Sequence, residues 1–284
     1  MRSLRRWLAL CRPHFLLGGV LLYALGALAA GVADVTAYII GQVAVTAGQL
    51  TAHLVNEYAD VEADRLVVNR TLFSGGSGVL VSGEIERQSV LIAALGSTAI
   101  SLSAAIAIGI SHPIAGLIAA AALAVSWGYS MPPVRLLGTG WGELATSVVV
   151  VIAVPAIGAE IQGSLTTGLW WAIAALLPIH LGMMLAFELP DLESDRAADK
   201  LVLAVRLERR TTEALIVILM LVGFAIAAVA ALWHQTSMGW ILLGVPMAAL
   251  AVVAMSRHRH GLLTAGAVGA LVASATGAIF GTMA

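Results

Sequence analysis

The sequence predicts an all-α fold: an integral membrane bundle of nine transmembrane helices with a cytoplasmic amino terminus. Three observations predict it. Apolar runs of about 20 residues, the length an α-helix needs to cross a bilayer, recur along the whole chain. The composition is 60% hydrophobic and 11% charged, with a mean hydropathy of +0.96. Lys and Arg also fall only in alternate loops, as expected of segments on the cytoplasmic side.

The helices are expected at about 13–33, 36–55, 88–110, 113–128, 142–160, 168–187, 212–232, 238–255 and 262–282. The first opens after MRSLRRWLALCRP. It is long enough to span and lacks a small-residue cleavage site, so it reads as a retained helix. The fourth, PIAGLIAAAALAVSWG, is the shortest. Gly and Ala abound in most of them, which permits close helix contact in lipid.

With nine spans and the amino terminus inside, the tail holds Arg2, Arg5, Arg6 and Arg12. The loop after the second helix holds Arg65, Arg70 and Arg87, and the loop after the fourth holds Arg135. Arg196, Lys200, Arg206, Arg209 and Arg210 follow the sixth, and Arg257 and Arg259 follow the eighth. These are all 15 basic residues of the chain. Removing or adding one span mid-chain would break the partition. Of the acidic residues, only Asp34 and Glu160 fall on the opposite side. A catalytic function should therefore sit at the cytoplasmic face of one domain, 1–284, in the loops at 56–87, 129–141 and 188–211.

The lone Cys11 excludes an internal disulfide and a multi-cysteine metal site. The seven histidines are scattered except in RHRH, Arg257 to His260, which suits a basic lipid-facing loop better than a metal site. No nucleic-acid partner is expected.

The stretch NEYADVEADR, Asn56 to Arg65, concentrates charge that the rest of the chain lacks. Asn56, Asp60 and Asp64 are spaced i, i+4, i+8, which aligns their oxygens along one helical stripe. Such a stripe is repulsive unless a cation sits among its oxygens, and oxygen-only ligands select hard cations such as Mg²⁺. A second stripe, ELPDLESDRAADK, repeats the spacing with Asp191 and Asp195. Each carries nearby cations: Arg65 and Arg70 in one, Arg196 and Lys200 in the other. Carboxylates for metal beside Arg and Lys for phosphate are the composition of a diphosphate site. A solvated interfacial loop would account for the Arg and Lys, but not for carboxylates repeated at four-residue spacing in two loops. RTLFSGGSGVL, Arg70 to Leu80, is a Gly/Ser-rich turn whose backbone could approach an anion. In YSMPPVRLLGTGWGE, Tyr129 and Arg135 could face the same site, although Tyr129 alone also reads as an interfacial anchor. Arg12–Pro13 opens the first helix and alone reads as a positive anchor.

These motifs together resemble the UbiA superfamily of intramembrane prenyltransferases. The family's NDxxDxxxD stands here as Asn56, Glu57, Asp60 and Asp64, and its DxxxD as Asp191 and Asp195. The RP opening of helix 1, SGGSGVL, the YSxPPxRL loop and DKLVLAVRL are similar as well, and the likeness runs from about residue 10 to 210. SGGSGVL and DKLVLAVRL lean toward the 1,4-dihydroxy-2-naphthoate prenyltransferase-like branch. The resemblance implies two Mg²⁺ ions held by Asn56, Glu57, Asp60, Asp64, Asp191 and Asp195. It implies a prenyl diphosphate bound with the help of Arg12, Arg65, Arg70, Tyr129, Arg135 and Lys200. It implies an allylic cation captured by an aromatic acceptor, in quinone or related lipid synthesis, in a prokaryotic plasma membrane. A UbiA-type terpene cyclase would use the same site. A transporter fits poorly, because the helix interiors carry few ionisable groups, and the DGxxAR signature of CDP-alcohol phosphatidyltransferases is absent. Two departures stand out. Glu57 replaces the usual Asp, and the loop after helix 4 lacks the family's lysine, for which Arg135 is the available substitute.

Overall fold

The computed structural model describes residues 2–67, 70–233 and 236–283, which contain helices and loops and no strand. A short helix α1 (Arg2–Cys11) precedes α2 (Pro13–Ala30). Pro13 starts α2 at the position where a missing N–H costs nothing. Asp34 caps α3 (Val35–Ala59) by accepting a hydrogen bond from the Ala37 N–H at 2.9 Å. A five-residue helix α4 (Val61–Arg65) follows at once.

Helices α5 (Arg87–Ser111) and α6 (Pro113–Ser130) come next. Then α7 (Gly142–Val148), a π-helical turn over 149–153 and α8 (Val154–Gln162) form one continuous 21-residue span. The π turn lies just before Pro155, whose missing N–H removes one regular helical bond. Thr166 caps α9 (Thr167–Glu188), and α10 (Leu192–Ala197) follows as α4 follows α3. Finally come α11 (Leu203–Trp233), a 3₁₀ stretch over Thr236–Gly244 leading into α12 (Val245–Ser256), and α13 (His260–Met283).

In the packing, α3 lies along α5, α9 along α11, α2 along α8, and α13 along both α12 and the 3₁₀ stretch. Small residues set the closest approaches. A Cβ on Gly26 of α2 would stand 1.8 Å from the Pro155 carbonyl oxygen of α8, so these two helices meet backbone to backbone.

Among the described residues, eight helical stretches are long and apolar enough to cross a membrane, and the protein is integral to the membrane. The nine expected segments all fall on helix, but α3 is not among those eight. It is 25 residues long and carries Gln42, Gln49, His53, Asn56 and Glu57. Several of these face a cavity rather than lipid. Other elements differ from expectation as well. α11 starts at Leu203 rather than near 212, across a break at Glu208, where φ is 63°. The short helices α1, α4 and α10 fold within stretches read as tail and loop.

Candidate active site

Each acidic motif is built alike: a long helix ends, a turn follows (Asp60 alone after α3, residues 189–191 after α9), and a short helix continues the stripe. Across both turns the i, i+4 backbone bond survives. Asp64 N–H donates to the Asp60 carbonyl at 2.8 Å, and Asp195 N–H to the Asp191 carbonyl at 2.8 Å. The four-residue spacing therefore describes real one-sided stripes. The short helices α4 and α10 touch, which brings the stripes face to face.

They meet over a cavity of about 330 Å³. Its charged end is lined by Arg12, Asn56, Asp60, Asp64, Tyr129, Asp191, Asp195 and Lys200, together with Gly75 and Gly76. Its far end is lined by Val150, Val154, Ile157, Val268, Leu271 and Val272. One hollow thus couples a cluster of carboxylates to an apolar interior.

Lys200 joins the stripes. Its Nζ lies 2.8 Å from Asp60 Oδ2 and 3.7 Å from Asp195 Oδ1, and its side chain is only 12% exposed. Local backbone chemistry aims it. Asp199 adopts the left-handed conformation, φ 51°, just after α10. The Lys200 N–H then returns to the Asp195 carbonyl at 2.9 Å, and the Asp199 N–H to Arg196 at 3.3 Å, which is a Schellman ending. Beyond it, the Glu188 carboxyl accepts from Ala204 N–H at 2.8 Å and Glu143 from Leu203 N–H at 3.2 Å. These two buried carboxyls cap the start of α11 and so fix both ends of the Lys200 segment.

The Gly-rich turn closes the charged end. Ser77 donates to Glu57 from both its N–H, at 2.7 Å, and its hydroxyl, at 2.6 Å. The Gly75 N–H donates to the Asp191 carboxylate. Gly76, with φ 65°, lies so close to Asp64 that a Cβ there would stand 2.0 Å from Oδ2. Asn56 donates from Nδ2 to Asp60 at 3.0 Å and to Ser130 at 3.2 Å. Tyr129 is hydrogen-bonded to Thr146.

Burial and crowding shape the charges. Burial, with the Glu57 and Asp60 charges, pushes the Asp64 carboxyl up to about 7. Burial, with the neighbouring Asp195, pushes Asp191 up to about 7, and burial raises Asp195 as well. Burial pulls Lys200 down, but Asp60 and Asp195 together outweigh it, and its ammonium is held above its ordinary range. Arg12, in the left-handed conformation before Pro13, is lowered by burial and opposed in this by Glu57, Asp64 and Asp191.

Several sequence expectations change here. Glu57 does not line the cavity: both its oxygens are engaged by Ser77, and its extra methylene reaches the turn. Arg65 pairs with Glu62 at 2.9 Å in solvent. Arg70 is exposed and binds the Asp64 backbone carbonyl, bracing the turn from outside. Arg135, the expected substitute for the missing loop lysine, is exposed and does not line the cavity. Lys200 and Arg12 are the expected cations that do line it.

Other residues at the site were not expected. Phe15, Phe73 and Phe187, three of the chain's five phenylalanines, pack edge to face or stacked with centroids 5.6–5.9 Å apart. His14 packs against Phe15 and Phe73, and His53 against Phe15. All five line the cavity. The residues come from four separate segments, so no spacing rule reveals them.

The donor set suits a divalent cation. It is all oxygen, Asp191 Oδ1 is buried without a hydrogen-bond partner, and the Gly76 backbone leaves room for Asp64 alone. Among the described residues no three acidic or histidine side chains close into a ready-made cage. Mg²⁺ usually keeps waters and shares substrate phosphates rather than filling an all-protein cage.

A membrane-embedded helical bundle with paired acidic motifs over an apolar cavity has the architecture of an intramembrane enzyme. The UbiA prenyltransferase family model matches residues 17–280, and the chain belongs to that family. It is an intramembrane prenyltransferase. None of the curated protein sequences gives a match. Solved structures share the fold. A UbiA homologue from Archaeoglobus fulgidus bound to GPP and Mg²⁺ is 18% identical, covering 98% of this chain and 99% of its own, at a TM-score of 0.66. An apo homologue from Aeropyrum pernix K1 is 16% identical, covering 92% and 96%, at 0.69. A structure concerned with digeranylgeranylglyceryl phosphate synthase is 15% identical, covering 100% and 99%, at 0.62.

Proposed function

We propose that the protein moves an isoprenyl group from a prenyl diphosphate to an aromatic acceptor, in quinone or related lipid synthesis, from the cytoplasmic face of a prokaryotic plasma membrane. The observation that carries this reading is the single cavity with both acidic stripes and Lys200 at one end and aliphatic side chains at the other. Homologues of the same fold bind DMAPP or GPP with Mg²⁺.

Asn56, Asp60, Asp64, Asp191 and Asp195 are the residues that would hold two Mg²⁺ ions, which supply positive charge to a departing diphosphate. Arg12 and Lys200 hold diphosphate oxygens by charge-assisted hydrogen bonds. The allylic C–O bond breaks and its electron pair leaves with the diphosphate. The ring faces of Phe15, Phe73 and Phe187 favour the resulting cation. An acceptor ring carbon bonds the allylic carbon and then gives up its proton to the released diphosphate. The aliphatic walls keep water from capturing the cation first.

Purified protein with Mg²⁺, a set of prenyl diphosphates and a panel of acceptors tests this by mass spectrometry of the products. The panel needs hydroxylated benzoates and naphthoates, glyceryl phosphate and a no-acceptor control. A prenylated aromatic is expected. A prenyl glyceryl ether would replace the aromatic acceptor, and a cyclic hydrocarbon without acceptor would replace transfer by cyclisation.

A further inference from the structure

We propose that Lys200 is a built-in exchangeable cation: it holds the two acidic stripes together in the ion-free protein, is displaced from Asp60 and Asp195 by a divalent ion, and then binds the diphosphate. The inference rests on the diphosphate reading above and adds a competition that reading does not contain.

Three observations lead to it. First, Lys200 Nζ stands between the stripes, at 2.8 Å from Asp60 in one and 3.7 Å from Asp195 in the other. That is where a cation bridging both motifs has to be. Asp60 is 4% exposed, so its charge needs a partner at all times. Secondly, Lys200 is the only lysine in a chain with 14 arginines. An arginine fork would grip the carboxylates bidentately and be hard to dislodge. An ammonium on a flexible stem is a compact point charge that can turn from one oxygen to another. Thirdly, Asp191 Oδ1 is buried without a partner, so part of the ligand set stays free of Lys200. A divalent ion can dock there first and then compete for Asp60 and Asp195.

The exchange has opposite consequences for the two ligands. Removing the ammonium should strengthen binding of the ion alone and weaken binding of the diphosphate. A residue that merely shaped the site would weaken both.

Because the chain has one lysine, lysine-selective isotope labelling of the full-length protein in nanodiscs yields a single side-chain NMR signal. Mg²⁺ alone is expected to shift and sharpen it as Lys200 leaves the carboxylates, and inorganic diphosphate with Mg²⁺ to move it again. In calorimetry, Lys200→Gln should bind Mg²⁺ about tenfold more tightly than wild type, and Lys200→Arg about tenfold more weakly. Lys200→Gln should bind Mg²⁺-diphosphate about tenfold more weakly. A wild-type lysine signal unmoved by saturating Mg²⁺ overturns the exchange even if neither variant folds. Weaker Mg²⁺ binding by Lys200→Gln overturns it as well. If the wild type binds Mg²⁺-diphosphate but Lys200 never leaves Asp60, only this inference fails. If it binds neither Mg²⁺ nor diphosphate, the diphosphate reading itself fails.

Discussion

Ser77 holds both carboxylate oxygens of Glu57, one through its N–H at 2.7 Å and the other through its hydroxyl at 2.6 Å. Glu57 is 2% exposed, so this pair ties the end of α3 to the Gly-rich turn in a dry setting. The residue most deviant from the family motif is thus bound to the turn that covers the site.

Ser77→Ala removes one bond to a buried carboxylate and should cost about 1.5–3 kcal/mol of stability. Glu57→Asp, one methylene shorter, should behave alike. Both should raise KM for the prenyl diphosphate more than they lower kcat, because the turn loosens while Asp60 and Asp191 stay in place. Steady-state kinetics with thermal melts checks this. Loss of Mg²⁺ binding in Glu57→Asp would instead make Glu57 a ligand.

Gly76→Ala places a methyl group 2.0 Å from Asp64 Oδ2, on backbone that L side chains rarely adopt. Asp64 must move. Affinity for Mg²⁺-diphosphate should fall by at least about tenfold with little change in helix content. Calorimetry beside circular dichroism separates the two effects.

Asp60→Ala and Asp191→Ala should each lower turnover by roughly a thousandfold or more, while the protein still inserts and purifies folded. Retained activity in both would argue strongly against a two-metal site.

Acidity should tune both metal binding and stability. Asp64 and Asp191 ionise near 7 in the folded, ion-free protein, against an ordinary 3.8. The folded state therefore binds protons more tightly than the unfolded one, and the ion-free fold loses stability as pH rises from about 4 to 7. Mg²⁺ competes with those protons, so its stabilising effect should be larger at pH 8 than at pH 5.5. Thermal melts in chelator and in Mg²⁺ at both pH values read this directly. An equal Mg²⁺ increment at both would rule it out.

Asp199→Gly should leave Lys200 in place, because glycine takes the left-handed conformation without penalty. Asp199→Val should cost about 1–2 kcal/mol and raise KM for the diphosphate. Parallel melts and kinetics of the two variants make the comparison.

Much of the site was legible in advance because its signals are local. Asp60 and Asp64, or Asp191 and Asp195, share a helical face by backbone geometry alone, and the 2.8 Å bonds across each turn bear that out. Arg12, Tyr129 and Lys200 were named as candidates and do line the cavity. Arg65, Arg70 and Arg135 were equally plausible by proximity in the chain, yet they point to solvent or brace the turn from outside. Nothing in spacing tells which of several nearby cations turns inward.

From the sequence alone, apolar length and four-residue spacing identify a helical membrane bundle with two acidic stripes. Both are properties of single helices, so they can be read one segment at a time. Only the tertiary structure decided which groups meet. Lys200 reaches Asp60 across 140 positions, Ser77 engages both Glu57 oxygens, and three distant phenylalanines share one wall. Those contacts arise where α4 meets α10 and where the Gly-rich turn folds back on both. They depend on the packing of whole helices, which no local pattern encodes.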